Sequence, residues 1–181
     1  MAGSPRFDFQ PVVLASRARP VLGRLPALTG RPIWIHQHPG LRDRHGPVHA
    51  GSFLRQRTIA LDCTAREFGR VFVHELFHFV WPRLGNSRRN SFEAVLLGER
   101  KARFRGELGW SAEWRKEALT TQDVRSRSRR WREYCCESFC DTAAWLFSGI
   151  RRHPEFTLAG RARLRRRLWF AELTKDRYLS I

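Results

Sequence analysis

Two histidines four residues apart, with a glutamate directly after the first, are the residues of this chain best suited to chemistry: His74, Glu75 and His78. On a helix this spacing puts both imidazoles on one face, where they can point at a single metal ion. Glu75 is displaced by one position, which places its carboxylate beside the ion as a base for a metal-bound water. The spacing predicts a catalytic zinc centre, and a pair of hydrogen-bonded core histidines is the alternative.

The flanking sequence predicts the element that carries this motif. Residues 57–62 are short, apolar and β-branched, which is typical of a strand. Thr64-Ala-Arg-Glu67 matches a capping box, and Trp81-Pro82 disfavours continuation, so we expect a helix over 64–80. Its second half is apolar on nearly every side apart from the motif, which indicates a buried central helix whose polar groups need partners.

A third ligand is expected, because a catalytic zinc normally has three protein ligands and one open position. Residues 131–149 have helical spacing and end at Gly149, a typical C-terminal stop. Glu137 and Asp141 lie four apart there, so one can bind zinc while the other holds a ligating histidine through its second ring nitrogen. We predict Glu137 as the ligand and Asp141 as the partner, with ordinary helix-surface acids as the alternative.

Three other acids follow the motif more closely along the chain. Asn90-Ser-Phe-Glu93 matches a second capping box, which gives Glu93 a structural role. Glu99 and Glu107 lie among arginines and glycine, so we expect them to be solvated. All three are weaker ligand candidates than Glu137.

Together these segments resemble the gluzincin metallopeptidases, with a strand, a helix bearing His-Glu-x-x-His and a later helix reading Glu137-x-x-Cys140-Asp141-x-Ala143-Ala144. The chain is most similar to their ImmA/IrrE-like group, small bacterial proteases that cleave regulatory proteins. The resemblance covers about residues 57–80 and 131–147. It implies a zinc-dependent endopeptidase with Zn²⁺ bound by His74, His78 and Glu137, and Glu75 as the catalytic base.

The chain departs from that group at two places. Phe77 stands where the group usually has glycine before the second histidine. Cys140-Asp141 stands where the group has Ala-Asn, which is closer to the E-x-x-x-D pattern of thermolysin-like enzymes. Gluzincin is therefore the level at which the resemblance applies.

Further residues could stabilise an oxyanion or bind a second metal. Tyr134 lies about one helical turn before Glu137, so we predict it as a catalytic residue, and His153 is another candidate. The chain also has a group of loop histidines, which fit no zinc template and are expected to be solvated or to line the cleft. They are His36, His38, His45 and His49.

The chain has four cysteines, too few and too unevenly placed for a secreted disulfide framework: Cys63, Cys135, Cys136 and Cys140. Cys136 and Cys140 share a helix face and could hold a soft metal, although small core residues are the simpler interpretation. No apolar run is long enough to span a membrane, and the N-terminus lacks a secretory pattern. These features together predict a cytoplasmic protein.

The basic charge is the second strong signal, with 34 Lys+Arg against 17 Asp+Glu and a net charge of +17. Arginine runs at 125–132 and 161–170 could clamp phosphates, with Trp131 or Trp169 stacking on a base. In the second run Leu164, Leu168 and Leu173 have helical spacing, so we expect them to face the core while the arginines are solvated. Non-specific binding of nucleic acid or acidic proteins is predicted.

The composition, with 42% hydrophobic residues and seven tryptophans, predicts one folded domain over residues 1–181. Residues 1–30 are rich in proline, arginine and glycine and are expected to be an irregular surface segment. A strand at 32–36, a loop at 37–52 and the strand at 57–62 precede the motif helix.

Further helices are expected near 90–104, 111–119, 122 or 130 to 148, and 158–174. The predicted class is α+β and zincin-like, with a small antiparallel or mixed sheet packed on the central helix and a helix-rich C-terminal half. An edge strand of that sheet could hold a protein or peptide substrate. The alternative function is a basic nucleic-acid-binding or protein-interaction module with a structural zinc site.

Overall fold

The computed structural model describes residues 7–43, 46–175 and 178–181. Within these residues the chain is α+β, with seven α-helices and eight short strands, which confirms the predicted class. The strands are β1 Phe7–Gln10, β2 Leu28–Thr29, β3 Ile33–Gln37, β4 Arg42–Asp43, β5 Gly46–Pro47, β6 Ala50–Phe53, β7 Thr58–Leu61 and β8 Leu179–Ser180. The helices are α1 Val13–Leu22, α2 Phe68–Val80, α3 Asn86–Lys101, α4 Trp110–Glu117, α5 Thr121–Arg125, α6 Arg129–Phe147 and α7 Gly160–Thr174, with a 3-10 turn at Trp81–Arg83.

Four strands form a small mixed sheet in the order β1-β3-β7-β6. Strand β3 is parallel to β1 and β7, whereas β6 is antiparallel to β7 and lies at the edge. Ile33 and Ile35 are buried and Trp34 between them is exposed, the alternation of a sheet with one covered face. The loop prediction for residues 37–52 is therefore wrong at β6, where pairing with β7 makes a strand out of small residues with little strand propensity of their own.

Helix α2 is the buried central helix that the sequence predicted. It contacts α1, α6, β6 and β7, and eight of its 13 residues are buried. On the side of α2 that faces α6, Phe77 packs on Phe139 at 5.8 Å between ring centroids. Phe139 in turn stacks on Phe170 of α7 at 5.0 Å, so one aromatic core fixes α2 against the two C-terminal helices.

The predicted capping box at the start of α2 is only half formed. The Thr64 hydroxyl accepts the Glu67 backbone N–H at 3.4 Å. The Glu67 carboxylate, however, pairs with Arg70 at 3.0 Å and His153 at 3.2 Å. The α-helix therefore begins at Phe68, four residues later than expected.

The second predicted capping box is wrong, because Asn90 lies inside α3. The Glu93 carboxylate accepts the Trp131 indole N–H at 3.1 Å. Trp131 is fully buried, so it cannot stack on a nucleic-acid base as the arginine run suggested.

The N-terminal segment is ordered rather than irregular from residue 7 onward. Strand β1 joins the mixed sheet beside β3, and α1 packs against β1 and α2. The buried residues of α1 are Leu14, Ala18 and Val21, an apolar stripe at helical spacing. Four prolines and four arginines among residues 1–30 interrupt the apolar pattern and conceal this stripe in the sequence.

The predicted orientation of α7 is wrong at the centre of the helix, where leucines were expected to face the core and arginines the solvent. Leu164 and Leu168 are 54% and 61% exposed, whereas Arg166 has no exposed surface. Leu173 is buried as expected. The helix therefore turns a charged residue, not the two leucines, toward the interior.

Buried carboxylates explain why Arg166, and not the two leucines, faces the interior. Arg166 binds Glu99 at 2.7 Å and Glu107 at 2.8 Å, and Lys116 binds Glu107 at 3.2 Å. Glu99 and Glu107 are fully buried, so the prediction that they are solvated is wrong. A charge is tolerated in a protein interior only when it is paired, and here each charge has such a partner.

No helix within the described ranges is both long and apolar enough to cross a lipid bilayer.

Candidate metal centre

The two motif histidines converge as their spacing predicted. His74 and His78 lie one turn apart on α2, and their Nε2 atoms are 3.1 Å apart. Their side chains keep 14% and 20% of their surface exposed. A pair of imidazole nitrogens therefore faces a shared point that solvent can reach.

Glu137 completes this group from the middle of α6. Its Oε2 atom lies 3.3 Å from His74 Nε2, and its Oε1 atom lies 4.0 Å from His78 Nε2. Residues 78 and 137 are far apart in sequence, and it is the packing of α6 across α2 that brings them together. The predicted third ligand is thus placed with the first two.

The separations fit a small tetrahedral cation. Ligand atoms at zinc's usual bond lengths, arranged tetrahedrally, lie about 3.3 Å from one another. The three measured separations, 3.1, 3.3 and 4.0 Å, bracket that value. Two imidazole nitrogens and one carboxylate are also a typical donor set for a catalytic zinc. The residues present therefore fit the ion that the motif implies.

Asp141 binds the ring nitrogen of His74 that points away from His78 and Glu137, as predicted. Its Oδ1 atom lies 2.7 Å from His74 Nδ1, and its Oδ2 atom accepts the Ala112 backbone N–H at 3.3 Å. A proton on Nδ1 leaves the Nε2 lone pair directed at the other ligands. Asp141 thus joins the ligand helix α2 to the start of α4.

Gly109, the residue before α4, is required by the close approach of Asp141. A Cβ atom at this position would lie 2.3 Å from the Asp141 carboxyl carbon. With no side chain here to cap α4, the Asp141 carboxylate serves the helix N-terminus instead.

Helix α4 also supplies two partners of Glu137 that sequence reasoning missed. The Ser111 hydroxyl donates to Glu137 Oε2 at 2.7 Å, and an Arg115 nitrogen lies 3.6 Å from Oε1. Neither residue carries a recognisable motif, and only the packing of α4 on α6 reveals them. The Ser111 hydrogen bond and the Arg115 charge together stabilise Glu137 as an anion beside the histidines.

The local electrostatics favour a carboxylate beside cationic groups. Burial raises the pKa of Glu137, but the hydrogen bond to His74 and the nearby His78 and Arg115 outweigh it and bring the pKa well below its usual range. Burial lowers the pKa of His74, yet Asp141 and Glu137 together raise it well above its usual value. The carboxylates thus favour positive charge at the histidines, which is a proton without a metal and which a bound metal ion would replace.

Cys136 and Cys140 lie on the other side of His78. The Cys136 sulfur is 3.5 Å from His78 Nδ1, so this ring is held from behind as His74 is held by Asp141. Burial lowers the pKa of His78, but Cys136 and Glu137 raise it to about 9. His78, Cys136 and Cys140 also form a second group that could hold a metal, so the soft-metal alternative keeps a geometric basis.

Glu75 faces the edge of the sheet. The single proton of the Ser52 hydroxyl on β6 has two acceptors of Glu75 within hydrogen-bond distance, the backbone carbonyl at 2.8 Å and the carboxylate. Ser52 is a further residue that the sequence did not indicate, because β6 was expected to be loop. The predicted base is thus anchored on β6, one of the two edge strands of this sheet.

Tyr134 is not brought to this group, so the structure gives no support to its predicted catalytic role. The ring is fully buried, and the hydroxyl donates to Glu107 at 2.7 Å within the buried ion network. Burial and the charge of Glu107 raise the pKa of this phenol well above its usual value. The helical spacing indicated that Tyr134 lies one turn from Glu137, but it did not indicate where the Tyr134 side chain points. His153 is engaged with Glu67 near the start of α2.

The loop histidines form no second metal group within the part of the chain that the structure describes. His36 lies on β3 with its ring centroid 6.2 Å from that of His38. His49 lines a cavity beside Trp110 and His153, as the sequence allowed for one of them. His45 lies outside the described residues.

Comparisons with known protein families, with curated proteins and with solved structures find no match to this chain.

Proposed function

We propose that this chain is a zinc-dependent endopeptidase of gluzincin type. The observation that supports it best is the convergence of His74, His78 and Glu137, with Asp141 fixing His74 from behind. A pair of core histidines would need hydrogen-bond partners but would not need a carboxylate at tetrahedral spacing opposite them.

In this proposal each residue has a distinct role. His74, His78 and Glu137 would hold the zinc, which when bound would acidify a water molecule and polarise a carbonyl group. The Glu75 carboxylate accepts the proton of the attacking water and returns it to the leaving amine. Ser52 orients that carboxylate through its hydroxyl.

The sheet edge supports a peptide substrate over a small molecule. Strand β6 contacts α2 and leaves its outer edge unpaired among the described strands of its sheet. An extended peptide that adds to this edge would pass Ser52 and reach the side of α2 that bears Glu75. A zincin-like arrangement, and within it the ImmA/IrrE-like group with protein substrates, is the proposal that best accounts for these elements.

We also propose the cytoplasm as the compartment. All four cysteines are free, and free thiols persist where the environment is reducing.

The test is hydrolysis of a diverse peptide mixture by the zinc-loaded protein, read by mass spectrometry. Wild type should generate new peptide termini, and Glu75→Gln should lose this activity while keeping its zinc. Glu117→Gln, an exposed glutamate at the end of α4, is the matched control and should cleave like wild type. No cleavage by zinc-loaded wild type, or equal cleavage by Glu75→Gln, would contradict the proposal.

A further inference from the structure

A cavity away from the metal centre lies between the start of α7, the end of α6 and the segment after α1. Its volume is about 740 Å³, within the range of small-ligand sites. Its lining includes four arginines, a tryptophan and the first residue of α7. They are Arg24, Arg151, Arg163, Arg167, Trp145 and Gly160.

Among the described residues, no carboxylate neutralises the positive charge of this cavity. No aspartate or glutamate lines it, and none of the four arginines forms an ion pair within the described residues. Other arginines of the chain, Arg70 and Arg166 among them, do pair with carboxylates. Four unneutralised guanidinium groups around one cavity repel one another and are stabilised by an anion.

Three of the guanidinium groups are held in place without a carboxylate. Arg163 Nε donates to the Leu158 carbonyl at 2.6 Å, and Arg24 donates to a backbone carbonyl of α1. The Arg167 guanidinium lies over the Trp145 ring, 4.8 Å from its centroid. Preorganised donors lose less entropy when a ligand binds.

The N-terminus of α7 adds a second source of positive charge to the cavity. Gly160 lines the cavity, the helix has no side-chain cap, and its first turn contains no acidic residue. The free N–H groups of this 15-residue helix therefore add partial positive charge to the same space.

We propose that this cavity binds a ligand with adjacent phosphate groups. Guanidinium groups and helix N-termini both match phosphate oxygens, and several of each around one cavity match more than one phosphate. A free polyphosphate and the backbone of a nucleic acid share this chemistry. The site is independent of the metal centre and of peptide hydrolysis.

The test uses two variants with equal loss of charge. Arg151→Gln with Arg167→Gln removes two guanidinium groups that form no hydrogen bond to the backbone of the described residues. Arg125→Gln with Arg130→Gln removes two exposed arginines of the other arginine run. Binding of inorganic pyrophosphate is measured by calorimetry, and a fluorescent single-stranded oligonucleotide is then displaced with pyrophosphate. Both variants keep the metal ligands, so phosphate bound at a metal would be unaffected in both.

The cavity variant should bind pyrophosphate at least about tenfold more weakly than wild type, and the control should bind like wild type. If pyrophosphate displaces the oligonucleotide, a nucleic-acid backbone enters the cavity; if only pyrophosphate binds, the ligand is a small polyphosphate. Equal weakening in the two variants, or unchanged binding in the cavity variant, would overturn the proposal. Oligonucleotide binding that pyrophosphate does not displace, with no pyrophosphate bound, would overturn it as well.

Discussion

At the scale of single residues, the metal centre depends on which nitrogen of His74 faces the other ligands. Asp141 lies 2.7 Å from Nδ1 and so keeps the proton there, which leaves Nε2 free for a cation. Asp141→Asn keeps the size of the side chain but can present an amide N–H to the ring. We expect zinc affinity to fall by about 10- to 100-fold without loss of the fold. Competition with a chromophoric chelator measures this, and unchanged affinity would show that Asp141 does not orient the ligand.

Gly109 is the second residue on which this geometry depends. In Gly109→Ala the new methyl group would lie within 2.4 Å of all three Asp141 carboxyl atoms, so the carboxylate must move from His74. Zinc affinity should fall as it does in Asp141→Asn. Gly85→Ala is the matched control, because a Cβ atom there meets nothing within 4 Å. If both glycine variants bind zinc like wild type, the contact between Asp141 and Gly109 is not required.

At the scale of elements, spacing within one helix was predictable and packing between helices was not. The four-residue spacings on α2 and α6 identified His74, His78, Glu137 and Asp141, because each pair shares a helix face. Ser111 and Ser52 lie on α4 and β6, and nothing in their own sequence indicates which carboxylate they meet. The direction of the Tyr134 side chain was unpredictable for the same reason, because its hydroxyl bonds to Glu107.

Strand β6 contributes to the proposed reaction through Ser52. A hydrogen bond to a charged group contributes about 1.5–3 kcal/mol, so Ser52→Ala should slow peptide hydrolysis about tenfold or more while zinc content stays unchanged. Single-turnover rates on a peptide found by mass spectrometry measure the effect. Zinc loss in this variant, or a wild-type rate, would contradict the role given to β6.

The burial of Arg166 in α7 leads to a prediction about the stability of the fold. Arg166 is the buried cation between Glu99 and Glu107, so Arg166→Leu leaves buried carboxylates short of a partner. The free energy of unfolding should fall by about 3–5 kcal/mol, measured by urea denaturation. Arg161→Leu, an exposed position on the same helix, should change it little. Similar stability of the two variants would mean that the leucine pattern, not the ion network, determines the orientation of α7.

At the scale of the whole molecule, the chain has a net charge of +17. Buried acids that pair with its basic residues contribute to the dependence of its stability on pH. Burial raises the pKa of Glu107, but Arg166 and Lys116 outweigh it, so the pKa lies below its usual value of 4.5 in the folded chain. A depressed pKa stabilises the fold above about pH 4.5, and this contribution is lost as the pH falls through the folded value. The urea midpoint should therefore decrease from pH 6 to pH 3, and less so in Glu107→Gln. An equal decrease in both proteins would assign the effect to other carboxylates.

The most direct measurement of the central claim is zinc content by elemental analysis of proteins purified without added metal. Wild type and Glu75→Gln should each hold about one zinc per chain, because Glu75 is not a ligand. His74→Ala and Glu137→Ala should hold almost none, with circular dichroism confirming that each is folded. A folded wild type that has no zinc and takes none up when zinc is supplied would contradict the metal centre, and with it the proposed peptidase.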